Sequence, residues 1–157
     1  GSNSVEGRGP VALIEAAAAA GSVTRIVLLS SRQDGSQRAK NHLLAENALR
    51  SSGIPYLIVR MPSLVDEQGG LNTILLDQSE DDQKPALGNA LARVDAAQVV
   101  CQAFVHDRTV RNQEASSPPS STRFGNVIVD ASNIQQPVVL DTRKWSDKFA
   151  CLQEVKR

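Results

Sequence analysis

The sequence predicts an α/β domain built on a parallel sheet. Two helix–strand units follow each other with short connections, the strand segments are unbroken apolar runs, and only 3% of the residues are aromatic. Unbroken apolar runs are typical of parallel strands that are buried on both faces. Short connections between helix and strand favour parallel pairing through right-handed crossovers. The core must therefore consist mainly of Val, Ile, Leu and Ala.

The first helix–strand unit occupies residues 10–31. Pro10 starts a predicted helix that contains a run of five alanines and ends at Gly21. Proline at the start of a helix and glycine just beyond its end are the usual arrangement. The segment TRIVLLSS, residues 24–31, is a short apolar run closed by hydroxyl residues. It predicts a buried strand whose carboxyl end is Ser30-Ser31.

The second unit follows directly. Asp34-Gly35-Ser36 supplies turn and N-cap residues, and residues 37–51 carry apolar side chains at helical spacing before Gly53. These features predict a second helix. Residues 54–60, IPYLIVR, then predict a second strand, which Met61-Pro62 ends.

The rest of the chain is predicted in less regular pieces. Asp95, as an N-cap with Gln98 at the N3 position, predicts a third helix that runs through Phe104. The other predicted elements are a short strand at 71–76, a charged turn at 79–84, a Ser- and Pro-rich loop at 111–123 and a strand at 124–130. The tail, 131–157, places Trp145, Phe149 and Leu152 at helical spacing, for packing within the domain or, less commonly, against a partner.

Composition narrows the possible functions. The formal net charge is zero, so the chain has no basic field for non-specific nucleic-acid binding. No apolar run approaches the roughly 20 residues needed to span a bilayer. Cys101 and Cys151 lack the spacing of a zinc or redox pair, and His42 and His106 have no neighbouring ligand or nucleophile in the sequence. We therefore expect a soluble intracellular protein without a metal site, in which these four residues are structural or solvent-facing. Residues 1–9 are interpreted as a cloning scar and leader, and residues 10–130 as the domain.

The order of segments identifies a family resemblance. An Ala-rich helix followed by TRIVLLSS, AKNHLLAENALRSSGIPYLIVRMPSLVDEQGG, LARVDAAQVVCQAF and FGNVIVD resembles the second half of atypical short-chain dehydrogenases/reductases of the NmrA-like group, which has many plant and cyanobacterial members. The resemblance implies the C-terminal half of a Rossmann-like NAD(P)-binding domain. In the family a G-x-x-G-x-x-G turn holds the pyrophosphate, and nothing in this chain matches it; Gly69-Gly70 neither follows a buried strand nor opens a helix. Binding of NAD or NADP would thus require an N-terminal half from the same chain or another.

The resemblance also implies a site at the carboxyl ends of the strands, where ligands bind in open parallel sheets. The residues expected to contact the cofactor are Ser30, Ser31, Lys40, Arg60, Pro62, Ser63 and Leu64. A structural alternative stands beside several of them. Ser30-Ser31 can simply end a strand, Lys40 can be a solvated helix residue, and Arg60 can pair with Asp66 or Glu67.

The family's catalytic pattern combines a serine after the first of these strands with Tyr-x-x-x-Lys on the next helix. Ser30 and Lys40 are therefore the candidate catalytic residues. Ser36 stands four residues before Lys40, in place of the tyrosine, and a serine hydroxyl cannot supply a phenolate near neutral pH.

Two functions follow from the resemblance. One is a catalytically degenerate NAD(P)-binding domain that serves as a scaffold or assembly factor, for photosynthetic complexes in the chloroplast, with protein partners bound through the tail. The alternative is an active NAD(P)H-dependent oxidoreductase. The missing tyrosine, the Ser- and Pro-rich loop and the long tail favour the scaffold, because binding roles tolerate loss of the proton donor. The sequence leaves the choice between NAD and NADP, the substrate and the oligomeric state open.

Overall fold

The computed structural model describes residues 4–31, 35–77, 90–105 and 127–137. A π-helical turn, Ser4–Arg8, leads into the first of three α-helices: α1 (Gly9–Ala20), α2 (Gln37–Ser51) and α3 (Arg93–Val105). The strands are β1 (Ile26–Ser31), β2 (Tyr56–Met61), β3 (Leu64–Val65), β4 (Asn72–Asp77), β5 (Leu91–Ala92) and β6 (Val127–Pro137). Over these ranges, every helix is too short or too polar to cross a membrane.

The main sheet has the strand order β1-β2-β6-β4. β1 and β6 both run parallel to β2, whereas β4 runs antiparallel to β6. β3 and β5 form a separate two-stranded parallel sheet. The predicted α/β fold with a mainly parallel sheet is confirmed.

Helices cover both faces of the main sheet. Alternate side chains of β2 and β6, such as Val59 and Val129, pack with α3 in one buried cluster. The intervening side chains, such as Ile58 and Ile128, pack with α1 and α2 in a second cluster. Successive side chains of a strand point to opposite faces, so a strand covered on both sides must be apolar at almost every position. This is why the strand sequences are unbroken apolar runs.

The predicted helix ends are confirmed where glycine and serine set them. Gly21 ends α1 in the left-handed conformation with φ of 65°, which costs glycine little. Ser36 is the N-cap of α2, and its Oγ accepts a hydrogen bond of 3.1 Å from the backbone N–H of Ala39.

The predicted start of the third helix is wrong by three residues, since an N-cap at Asp95 places the first helical residue at position 96. α3 begins at Arg93, so Asp95 lies inside its first turn and is not the N-cap. Asp95 is 2% exposed, and its Oδ1 accepts a 2.7 Å hydrogen bond from the backbone N–H of Gly70. A Cβ on Gly69 would lie 2.8 Å from that same oxygen. Asp95 therefore fixes the Gly69-Gly70 loop against α3, and this close approach requires glycine at position 69.

Several predicted elements lie outside the described residues. They are the turn at 79–84, His106, the loop at 111–123, Cys151 and the tail positions Trp145, Phe149 and Leu152.

The edge of the main sheet at β1 yields a prediction. Across the described ranges β1 pairs only with β2, and the side chain of Leu29 is 46% exposed. An exposed apolar edge invites pairing with another strand. We therefore expect the 157-residue chain on its own to self-associate rather than fold as a stable monomer, and Leu29→Lys to reduce that association. Sedimentation and a thermal melt measure both properties. A cooperative melt of a monomeric sample would contradict the prediction.

Candidate functional site

The candidate site lies at the carboxyl ends of the parallel strands. Ser30 on β1 is in register with Arg60 on β2, and Arg60 is in register with Asp130 on β6. The exposed fractions of these three residues are 5%, 3% and 3%. Residues directly opposite each other share a face of the sheet, and these follow Leu28, Ile58 and Ile128 on the face covered by α2. A row of buried polar side chains thus crosses the sheet at the edge where open α/β folds bind ligands.

Glu46 of α2 organises this row. Its carboxylate is 0% exposed and accepts hydrogen bonds from Arg60 at two oxygens, 3.1 Å from Nε and 2.6 Å from Nη2. Ser30 Oγ donates to the same carboxylate at 2.5 Å, and Arg50 Nη2 lies 3.4 Å from Oε2. This bidentate pairing of guanidinium and carboxylate compensates the buried negative charge of Glu46. The cluster joins α2 to both β1 and β2.

The sequence suggests Asp66 or Glu67 as the ion-pair partner of Arg60. In the structure Arg60 pairs with Glu46. Asp66 is exposed and pairs with Arg93 at 2.6 Å. Ser30 and Arg60 both donate hydrogen bonds to Glu46, and their predicted contact with a cofactor stays a prediction. The sequence interpretation missed Glu46. The available signal was an acidic residue on the apolar stripe of a predicted helix, together with an arginine in an apolar strand.

A second polar pair lies beside this cluster. Ser31 Oγ and His42 Nδ1 are 2.8 Å apart, and both residues are half-buried. Ser31 is the last residue of β1, and His42 lies one turn before Glu46 on the same side of α2. The sequence predicts no chemical role for His42, because no nucleophile or metal ligand is next to it in the sequence. Its partner Ser31 lies 11 positions away. Only the fold of β1 against α2 brings the hydroxyl and the imidazole together.

The positions that correspond to the family's Tyr-x-x-x-Lys pattern are placed differently. Lys40 is exposed on α2, as the solvated alternative predicts. Ser36 uses its hydroxyl to cap the helix. The proposed role of Lys40 in catalysis or cofactor binding stays a prediction.

The segment after β2 lies at the same carboxyl edge. Pro62 is half-buried and Ser63 is exposed, while the carbonyl of Ser63 accepts a 2.9 Å hydrogen bond from the N–H of Leu91. Leu64 is half-buried and pairs with Leu91 in the small sheet. Pro62 and Ser63 therefore keep surface available to a ligand, and Leu64 is held against the core on the α3 side.

The described part of the chain contains no group of three or more residues suited to hold a metal ion. Cys101 is a free, exposed thiol.

Comparison with known proteins identifies the family. The sequence model of the NAD(P)H-binding family matches residues 1–107. The chain belongs to this family. This match confirms the resemblance to an NAD(P)-binding family that the sequence predicts. An uncharacterized chloroplastic protein of Arabidopsis thaliana is 33% identical over 79 residues, which are 50% of this chain and 24% of that protein.

Solved structures support the fold. A protein of Bacillus halodurans described as an NAD-dependent epimerase/dehydratase superimposes with a TM-score of 0.59 at 17% identity, over 85% of this chain and 57% of its own. An oxidoreductase of Lactococcus lactis gives a TM-score of 0.58 at 16% identity, over 86% of this chain and 57% of its own. The chain thus spans little more than half the length of these structures and about a quarter of the plant relative.

The residues present fit one end of a dinucleotide. Half-buried Ser31, His42 and Pro62 and exposed Ser63 supply a polar edge beyond the strands, which suits a nicotinamide ring and its carboxamide. The backbone cradle that pyrophosphate requires has no counterpart in the sequence.

Glu46 provides the stability prediction for this site. We expect Glu46→Ala to lower the free energy of unfolding by about 3–5 kcal/mol, because removing one partner leaves the other charge buried and uncompensated. Asp66→Ala is the matched control. This variant breaks the ion pair between Asp66 and Arg93, whose side chains are 81% and 58% exposed. It should lower the free energy of unfolding by less than about 1 kcal/mol. Urea denaturation of the intact protein measures both variants. Equal effects would show that the buried pair contributes no more than the exposed one.

Proposed function

We propose that this chain is the nicotinamide-side half of an NAD(P)H-dependent oxidoreductase domain. One observation carries the proposal: in a member of the NAD(P)H-binding family, the carboxyl ends of β1 and β2 present accessible polar residues over a rigid buried cluster. Ser30, Arg60 and Glu46 hold the strand ends in place, while Ser31, Pro62 and Ser63 line the edge. Rigid support beneath a polar rim is the arrangement that orients a bound ring for group transfer.

Completion of the domain is part of this proposal. In the described part of the chain β1 pairs on one side alone, and we place a further parallel strand at its other edge. The dinucleotide phosphates also need a glycine-rich turn. Another segment of the protein, or a second chain, supplies both. The same edge is the surface on which the two halves pair.

A second candidate function is a non-catalytic scaffold or assembly factor that keeps nucleotide-domain architecture. Ser36 at the position of the family tyrosine favours it, since its hydroxyl already caps α2. The name of the Arabidopsis relative extends this candidate to the chloroplast, where photosynthetic complexes are assembled. Partners would bind through the tail at 131–157, of which residues 131–137 continue β6.

The two candidates predict different behaviour with carbonyl compounds. We expect the intact protein to oxidise NADPH or NADH in the presence of a suitable aldehyde, ketone or quinone, which absorbance at 340 nm records. Binding of the dinucleotide without turnover, together with capture of a specific protein partner by the tail, would favour the scaffold.

Ser63 allows a direct test of where the nicotinamide lies. Ser63→Tyr places a ring at the exposed end of β2 and should weaken NADPH binding on the order of tenfold, the effect of about 1.4 kcal/mol. Affinity for 2′-phospho-ADP-ribose, which lacks the nicotinamide, should not change. Gln68→Tyr, in the exposed loop beyond β3, is the control. Fluorescence titration measures each affinity, and equal weakening of both ligands by Ser63→Tyr would contradict the assignment. If wild-type protein binds neither ligand, the proposed function itself fails.

A further inference from the structure

We propose that His42 replaces the family tyrosine as the source of the proton, which it delivers through the Ser31 hydroxyl. This inference rests on the proposed reductase function and deepens it. The observation behind it is the 2.8 Å hydrogen bond between Ser31 Oγ and His42 Nδ1 at the carboxyl end of β1.

Position distinguishes this pair from the other polar groups at the edge. Ser30 Oγ donates to Glu46 and is 5% exposed, so its hydroxyl serves the buried cluster. Ser31 is half-buried one residue further along, where the strand ends. Ser36 is committed to the helix cap. Ser31 is therefore the hydroxyl of β1 that can both contact a ligand and exchange a proton with a neighbouring base.

The chemistry of the two side chains suits proton delivery. A serine hydroxyl both donates and accepts a hydrogen bond, and an imidazole changes protonation in the physiological range. His42 is half-buried, so part of its surface contacts water, from which the ring can regain a proton. Packing also fixes its position, because His42 lies one helical turn before Glu46, which is bound to β1 and β2.

A dihydronicotinamide, when bound, would supply the hydride that reduces the carbonyl carbon and would itself be oxidised. As the C=O π bond breaks, the carbonyl oxygen takes the proton of the Ser31 hydroxyl. Ser31 Oγ takes a proton from Nδ1 of the His42 imidazolium, which becomes neutral imidazole and regains its proton from water. The product is an alcohol, and Ser31 returns to its starting state.

Chemical rescue tests the relay. In the intact protein, His42→Ala should reduce NADPH-dependent turnover of a panel of aldehydes, ketones and quinones by about 100-fold or more, the usual contribution of general acid catalysis. NADPH affinity is measured on the same variant, so that a lower rate of turnover is separated from weaker binding. Added imidazole should restore at least part of the rate in His42→Ala but none in Ser31→Ala, because the free imidazole still needs the hydroxyl to reach the substrate. Asn47→Ala, exposed on the same helix, should behave as wild type.

His42→Gln retains a side chain that can form a hydrogen bond with Ser31 but cannot act as an acid near neutral pH. This variant replaces His42→Ala if that variant does not fold, and it should show the same loss of turnover. In the free protein, the ¹⁵N resonance of His42 Nδ1 should move on Ser31→Ala, a readout that needs no cofactor.

The outcomes separate the two levels of the proposal. Full turnover by a folded His42→Ala or His42→Gln variant would overturn the relay and leave the reductase function standing. An unmoved Nδ1 resonance would also overturn it. NADPH binding with no turnover of any carbonyl compound by wild type would overturn the relay together with catalysis, and a failure to bind NADPH would overturn the proposed function as a whole.

Discussion

The burial of Glu46 constrains the structure around it. A carboxylate with 0% exposure must be compensated, and Arg60 does so through two hydrogen bonds, with Ser30 and Arg50 completing its surroundings. These contacts join α2 to the ends of two strands. Because ion pairs of this kind tolerate little displacement, they fix the angle and height of α2 over the sheet. The positions of the residues around the carboxyl edge depend on that placement.

The cluster also divides the polar residues of the edge into two groups. Ser30 and Arg60 face inward and serve the buried carboxylate, whereas Ser31, His42 and Ser63 keep surface outside it. The family pattern predicts Ser30 and Lys40 as the catalytic residues. The contact at the edge is instead between Ser31, the next residue of β1, and His42, two positions after Lys40 on α2. Departure from the tyrosine pattern is thus compatible with either a lost or a relocated proton donor.

The chain is shorter than the solved structures that share its fold, and it covers 57% of each of the two compared. The proposed nicotinamide contacts lie at the carboxyl ends of β1 and β2, whereas the sequence has no counterpart of the glycine-rich turn that holds the phosphates. Under the proposed function, binding of the dinucleotide therefore depends on a turn that this sequence does not supply.

The sequence by itself determined the fold class and the bounds of α2, residues 37–51. These follow from local rules: apolar runs, Ser36 as a cap and Gly21 at a helix end. The last strand, predicted to end at Asp130, instead continues to Pro137. The tertiary structure alone decided that Glu46 pairs with Arg60, that Asp95 holds the Gly70 loop and that His42 meets Ser31. Each of these contacts joins residues 11 to 25 positions apart. Periodicity predicts which side of a helix or strand is buried, but only the packing of one element on another decides which side chains come within hydrogen-bonding distance.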